Sequence, residues 1–209
     1  MKLAIIGSGN VGKGLAGAAV KAGHEVILTS RNPEHYAEAA KSVGAKSAPV
    51  DKAVAGADVV VLAVPFTAAE SVAAEIAPNA AGKVVIDPTN RFDPKDPAAT
   101  LDGSSVAEKL QSKLPDAKVV KALNTVLAGN YANPKKNGDA LDGYVAGDDE
   151  SAKKKVLDLL GSIGFRPVDA GGLAMGRVLE GMALMNISLN MRNGWPWQSG
   201  FKLVGPTGN

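Results

Sequence analysis

The first thirty residues constrain everything after them. Lys2-Leu3-Ala4-Ile5-Ile6 is a short apolar run of strand formers, Gly7-Ser8-Gly9-Asn10-Val11-Gly12 follows with no spacer, and an alanine-rich stretch with helical spacing comes next. Strand, glycine turn and helix start in that order are the context a GxGxxG motif needs before it signifies a dinucleotide site. The first glycine permits the sharp turn, the second lets the backbone approach a pyrophosphate, and the third allows helix and strand to pack closely. A helix opening near Asn10 would aim its free N–H groups and the positive end of its dipole at that pyrophosphate. Gly7, Ser8, Gly9, Asn10, Val11 and Gly12 are therefore expected to hold a dinucleotide; glycines that only shape a turn are the alternative.

The second strand, His24 to Thr29, says which dinucleotide. An NAD site usually places Asp or Glu about twenty residues past the glycines, where a carboxylate accepts from the ribose hydroxyls. This chain has Ser30-Arg31-Asn32 instead. A guanidinium pairs with a 2′-phosphate that a carboxylate would repel, and a serine hydroxyl can donate to it. The expected cofactor is NADP(H).

Composition limits the rest. A chain of 209 residues can bury one sizeable core, and its net charge of +2 gives no argument for nucleic acid or an anionic membrane as partner. Cysteine is absent, which excludes disulfides and thiol catalysis, and the two histidines, His24 and His35, lack metal-pair spacing and read as surface residues. No metal site is expected. No secretory leader is legible in the short apolar start, and no run approaches a membrane span, so a cytoplasmic enzyme is the expectation.

Further along, Pro33 to Val43 reads as a helix with proline at its opening. Ala57 to Val64 is a continuous β-branched run suited to a strand buried on both faces, with a helix to Ile76 after it. Strand C-termini in such sheets line the ligand crevice, which puts Val64, Pro65 and Phe66 near the nicotinamide; Phe66 as a core aromatic is the competing reading. Lys83 to Asp87 is the next strand. The proline-rich segment to Gly103 is longer than a plain connector and suited to covering a ligand. Asp87 reads as a residue that organises its own turn. Ser104 to Lys113 is a serine-capped helix and Lys118 to Leu123 a strand, after which Asn124 either faces the crevice or caps the next helix. Asp142 to Ala146 is a strand, and Asp148-Asp149-Glu150-Ser151 opens a helix to Ile163. Lys153-Lys154-Lys155 reads as a solvated helix face. Arg166 to Asp169 is a last strand, and Leu173 to Arg192 a long helix whose methionines suit a core or a subunit interface. Trp195 and Trp197 come next, in a loop able to bury against a second subunit.

Alternating strands and helices imply an α/β chain: a Rossmann-type doubly wound parallel sheet with a small C-terminal helical lobe. The expected division is residues 1–147 for NADP binding and 148–209 as a lobe packing on the same sheet and helping to form the acceptor pocket.

Taken together, Gly7 to Leu15, Ser30-Arg31, Val64-Pro65, Val119 to Thr125, Gly147 to Ser151, Arg166 to Gly171, Arg177 to Glu180 and Phe201-Lys202-Leu203 resemble the coenzyme F420-dependent NADP oxidoreductases. The resemblance runs through nearly the whole chain. It implies direct hydride transfer between NADP(H) and an 8-hydroxy-5-deazaflavin, a homodimer, and a place for Ala122 and Asn124 in the cofactor site. The sequence departs from the family pattern at Phe66, at Asn124, at His35, which stands where a lysine assists the 2′-phosphate, and at Ala174-Met175, which replace a polar pair ahead of the last helix.

Two stacked two-electron carriers need close placement and exclusion of water, so no catalytic side chain is assigned. A small flat acceptor, coenzyme F420 first, is the expected partner. The alternatives are a flavin, a quinone-like compound or a ferric chelate, and, from a different class, an NADP(H)-sensing module without turnover.

Overall fold

The computed structural model describes residues 1–205 apart from 94, 97, 99, 100 and 102. Strand β1 (Lys2–Ile6) lies near the middle of an eight-stranded sheet, with β2 (Glu25–Thr29) and the two-residue β3 (Lys46–Ser47) on one side. On the other side lie, in order, β4 (Val59–Leu62), β5 (Val84–Asp87), β6 (Lys118–Ala122), β9 (Asp142–Gly147) and β10 (Arg166–Gly171). The chain runs outward from β1 through β2 and β3, then returns to start again at β4. A crevice therefore opens between the loops leaving β1 and β4, the place where open α/β sheets bind ligands.

Helices α1 (Asn10–Lys21), α2 (Pro33–Val43) and α6 (Glu150–Ser162) cover one face. Helices α3 (Val50–Ala55), α4 (Phe66–Ala80) and α5 (Val106–Lys113) cover the other. With both faces covered, the inner strands must be apolar throughout, and β4 is buried at every position. Helix α2 is closed at both ends: Asn32 Oδ1 accepts from the amides of Glu34 and His35, and Gly44 ends it at φ 73°. Helix α5 carries a capping box in which Ser105 and Glu108 satisfy each other's backbone N–H groups.

The sheet is not wholly parallel, because β9 runs antiparallel to β6. A parallel return needs a crossover helix, and between these strands the chain forms only a 3-10 turn (Ala128–Asn130) and a small hairpin of β7 (Lys135–Lys136) and β8 (Asp139–Ala140). Helix α4 also outruns its expected end at Ile76, reaching Ala80 with Pro78 in its last turn. Strand β10 pairs in parallel with β9, so the segment after residue 147 extends the same sheet.

The last helix, α7 (Gly176–Asn193), comes after a 3-10 turn (Leu173–Met175). Its buried positions include Leu179, Ala183, Asn186 and Asn190. Its methionines are not core: Met185 and Met191 are exposed, as are Trp195 and Trp197 in the closing segment of the chain. That segment is held along β9: Phe201 O accepts from Asp142 N at 2.9 Å, and Asp142 takes two bonds from the Arg166 guanidinium at 2.6 and 2.7 Å.

Lys153 departs from the expected solvated face. It is buried against Glu150 (2.8 Å) and Asp169 (3.0 Å), while Lys154 and Lys155 are exposed. No helix among the described residues is long and apolar enough to cross a membrane.

Candidate active site

At the end of β1, Gly7 adopts φ +119° and donates its N–H to Thr29 O at 2.7 Å. A Cβ there would lie 2.0 Å from Ala63 O, and one on Gly12 would lie 1.8 Å from Gly7 O. Those two glycines are demanded by the packing of β1, α1 and the end of β4. Gly9 differs, since a Cβ on it would meet nothing within 4 Å. It is the N-cap of α1, with no side chain bonded across that helix end and no acid in the first turn. The arrangement is a backbone cradle open to an anion, and a side chain on Gly9 would fill it.

Ser8 Oγ donates to Ser30 Oγ at 3.1 Å, tying the glycine turn to the end of β2. Arg31 and His35 are exposed beside it, and Asn32 spends its Oδ1 on capping α2. At the neighbouring strand end Val64 is half-buried and Pro65 exposed. Phe66 is no loop residue: it opens α4 and packs, half-buried, against the core beneath α3, α4 and α5.

The end of β6 turns abruptly. Ala122 is buried in the core beneath α1, α2 and α6, so only its backbone can face a ligand. Leu123 takes φ 66°, a left-handed conformation that costs free energy in a branched residue and collects at functional sites. Asn124, 5% exposed, donates Nδ2 to Asn90 Oδ1 and to Leu179 O, both at 2.9 Å, and its carbonyl accepts from Asn90 Nδ2 at 2.8 Å. It caps no helix. Its Oδ1 is buried and has no hydrogen-bond partner.

These asparagines stand on a cavity of about 350 Å³ reached from α1 by Val11, from the loop after β5 by Phe92, and from α7 by Ile187 and Met191. The proline-rich segment expected to cover the crevice includes residues 94, 97, 99, 100 and 102, outside the described set; of its described part, Pro88, Asn90 and Phe92 line the cavity. Ala174 and Met175, expected in the acceptor pocket, are not among the lining residues. The turn they occupy packs at β9, β6 and α5, two helical turns before α7 reaches the cavity. A larger groove of about 1230 Å³ runs beside α1 from Asn10 to Lys21 and, among the described residues, shares Leu127, Ala128 and Trp197 with the cavity.

Beneath the cavity floor lies a group that the sequence pattern alone does not single out. Lys121, wholly buried, has its ammonium 2.9 Å from Asp87 Oδ2 and 2.7 Å from Glu180 Oε1. Burial pushes the Glu180 carboxyl above the usual carboxylate range. A signal was present: a lysine inside an otherwise apolar strand, in register with Asp87 on β5.

A family model described as NADP oxidoreductase, coenzyme F420-dependent, matches residues 2–91. An F420-dependent NADP reductase from Methanothermobacter thermautotrophicus is 33% identical over 216 residues, covering 92% of this chain and 90% of that protein. The chain belongs to the family of F420-dependent NADP oxidoreductases. As a member of that family it is an NADP-dependent oxidoreductase. A solved structure of an inferred F420-dependent NADP reductase from Arthrobacter sp. FB24 superposes with a TM-score of 0.86 at 30% identity, covering 98% of this chain and all of that one. The family's breadth shows in a further match, the metalloreductase STEAP3 of Rattus norvegicus, 32% identical over 183 residues. That match takes in 88% of this chain but 36% of the metalloreductase, so the chain spans about a third of that relative's length.

Proposed function

We propose that the chain passes hydride between NADP(H) and coenzyme F420, an 8-hydroxy-5-deazaflavin, with residues 1–147 gripping the nucleotide and 148–209 supplying the α7 wall of the acceptor pocket. The observation that carries this reading is the lining of the 350 Å³ cavity: among its described residues none is Asp, Glu, His, Lys, Arg, Cys or Tyr. A reaction needing a side-chain acid or base has no candidate there, whereas hydride transfer between stacked rings needs only apolar walls, orientation and dryness. Bound NADPH would supply the hydride. The chain's part is to hold the pyrophosphate at Gly9 and the α1 amides, to pair Arg31 and Ser30 with the 2′-phosphate, and to set Asn124 at the floor on which the acceptor rests. His35, exposed on the first turn of α2, adds a donor near that phosphate. The protein is further proposed to act as a homodimer in the cytoplasm.

The match to the metalloreductase favours a second reading, in which the acceptor is a flavin or a ferric chelate. Purified protein mixed with NADPH and, separately, with F420, FMN and ferric citrate separates them by the rate of NADPH oxidation. Turnover with F420 at least tenfold faster than with the others is the expected result; turnover with FMN or ferric citrate but not F420 would move the assignment to the second reading.

A further inference from the structure

Burying three charged side chains together is costly, and apolar residues of similar volume would hold the sheet as well or better. The Lys121 cluster therefore asks for a role other than stability, and its bonding pattern supplies one. Lys121 Nζ donates to Thr89 O at 2.6 Å, while Asp87 Oδ1 accepts from Thr89 N at 2.9 Å and Thr89 Oγ1 at 2.7 Å. Thr89 is thus gripped at three atoms, and the next residue is Asn90. On the other side Glu180 Oε1 accepts from Lys121 at 2.7 Å and from Val106 N at 2.8 Å. The residue before it is Leu179, whose carbonyl accepts from Asn124. Both side-chain partners of Asn124 Nδ2 lie one residue from a group fixed by the same ammonium. Gly176 lets α7 come this close: a Cβ on it would sit 2.9 Å from Ser105 Oγ and 3.6 Å from Lys121 Cγ.

We propose that Lys121, Asp87 and Glu180 are positioning residues: a buried clamp that holds Asn90 and Leu179 at fixed distance, so that Asn124, stitched to both, keeps the cavity floor in one arrangement. The clamp joins β5, β6, α5 and α7, so it also sets how far the α7 wall stands from the asparagine floor. With Nδ2 engaged twice, the amide cannot rotate without losing both bonds, so the floor that meets a ligand is ordered before the ligand arrives. The proposal rests on the reading of this cavity as the place of hydride transfer.

The test compares wild type, Asn124→Ala, Lys121→Met and the pair combined, with the triple variant Asp87→Asn, Lys121→Met, Glu180→Gln as a charge-free set should Lys121→Met alone fold poorly. Single-turnover hydride transfer from NADPH to F420 or FMN, whichever wild type reduces faster, is expected to slow about tenfold or more in Lys121→Met, with NADPH affinity within about twofold. Because Lys121 is argued to act through Asn124, the same change in the Asn124→Ala background should cost nothing further. Full additivity, or a wild-type rate in Lys121→Met, overturns the clamp. A second readout needs no reaction: the Asn124 side-chain amide signals in a ¹⁵N-labelled, ligand-free sample should be resolved and slow to exchange in wild type and collapse toward free-amide positions in Lys121→Met or the triple variant. Unchanged signals overturn the clamp whatever the acceptor is. An Asn124→Ala variant with wild-type transfer, alongside altered signals in Lys121→Met, would leave the clamp standing and sink the cavity's assignment instead.

Discussion

Three glycines in one hexapeptide look alike in sequence and differ in what they do. Gly7 and Gly12 are required by contacts inside the protein, whereas Gly9 faces open space, so substitution separates folding from binding. Gly12→Ala should destabilise by about 1–3 kcal/mol, the usual cost of overpacking, read as a lower thermal midpoint. Gly9→Val should leave that midpoint in place and abolish NADPH binding by titration calorimetry. An intact affinity would place the pyrophosphate elsewhere. For Arg31→Ala, NADPH should weaken by about 1.5–3 kcal/mol, the range of a charged hydrogen bond, with NADH nearly untouched. An equal loss for both cofactors would remove the case for the 2′-phosphate contact. The glycine turn itself was legible because strand, turn and helix are contiguous in sequence, although the Ala63 backbone that demands Gly7 comes from the end of β4. Lys121 was not, since its partners sit 34 and 59 residues away; Lys153 was missed because a run of three lysines reads as one solvated face, although Glu150 lies on its own helix and Asp169 only 16 residues on.

Elements were readable where one rule governed them. Continuous apolar runs gave the inner strands, and Pro33 gave the opening of α2, whose ends the structure closes with Asn32 and Gly44. The antiparallel join of β6 and β9 was not readable, because an apolar run does not state its direction. What holds elements to one another was equally silent, and the α5–α7 contact is the clearest case. Glu108 accepts from the Ser105 amide and hydroxyl at 2.7 and 2.9 Å and from Arg177 Nε and Nη2 at 2.9 and 2.6 Å. The Arg177 guanidinium leads in pulling its carboxyl from 4.5 to about 2. A group held lower in the folded than in the unfolded state stabilises above the unfolded value and loses that contribution as pH falls toward the folded one. The full shift would be worth roughly 3 kcal/mol, but the Arg177 side chain is 55% exposed, and solvent screening reduces it to about 1 kcal/mol. Urea unfolding at pH 6 and pH 3 should show wild type losing more stability than Glu108→Gln, which keeps the capping box without the charge. Parallel pH curves for the two would show the pair contributes nothing.

At the scale of the molecule, α7 buries one face of mixed polarity and leaves an apolar face open. Leu179, Ala183, Asn186 and Asn190 turn inward to the cavity floor and the closing segment, while Val178, Met185 and Leu189 repeat at helical spacing on the outside and are half or more than a third exposed. A helix with one face buried and an apolar stripe exposed on the other is suited to lie between two bodies. A second copy of the chain is the proposed occupant. A stable interface of that kind buries about 800 Å² per partner, more than these three side chains provide, so the exposed Trp195 and Trp197 at the end of the same helix are expected to join it. Sedimentation at micromolar concentration should give a dimer for wild type and a monomer for Val178→Glu with Met185→Glu. Because the inner face of α7 lines the proposed acceptor cavity, the monomeric variant should keep NADPH affinity, which the same proposal assigns to β1, β2 and α1, and lose acceptor reduction as the wall loosens. A monomeric wild type would return α7 to a single task, and a fully active monomer would show that the wall stands without a second copy behind it.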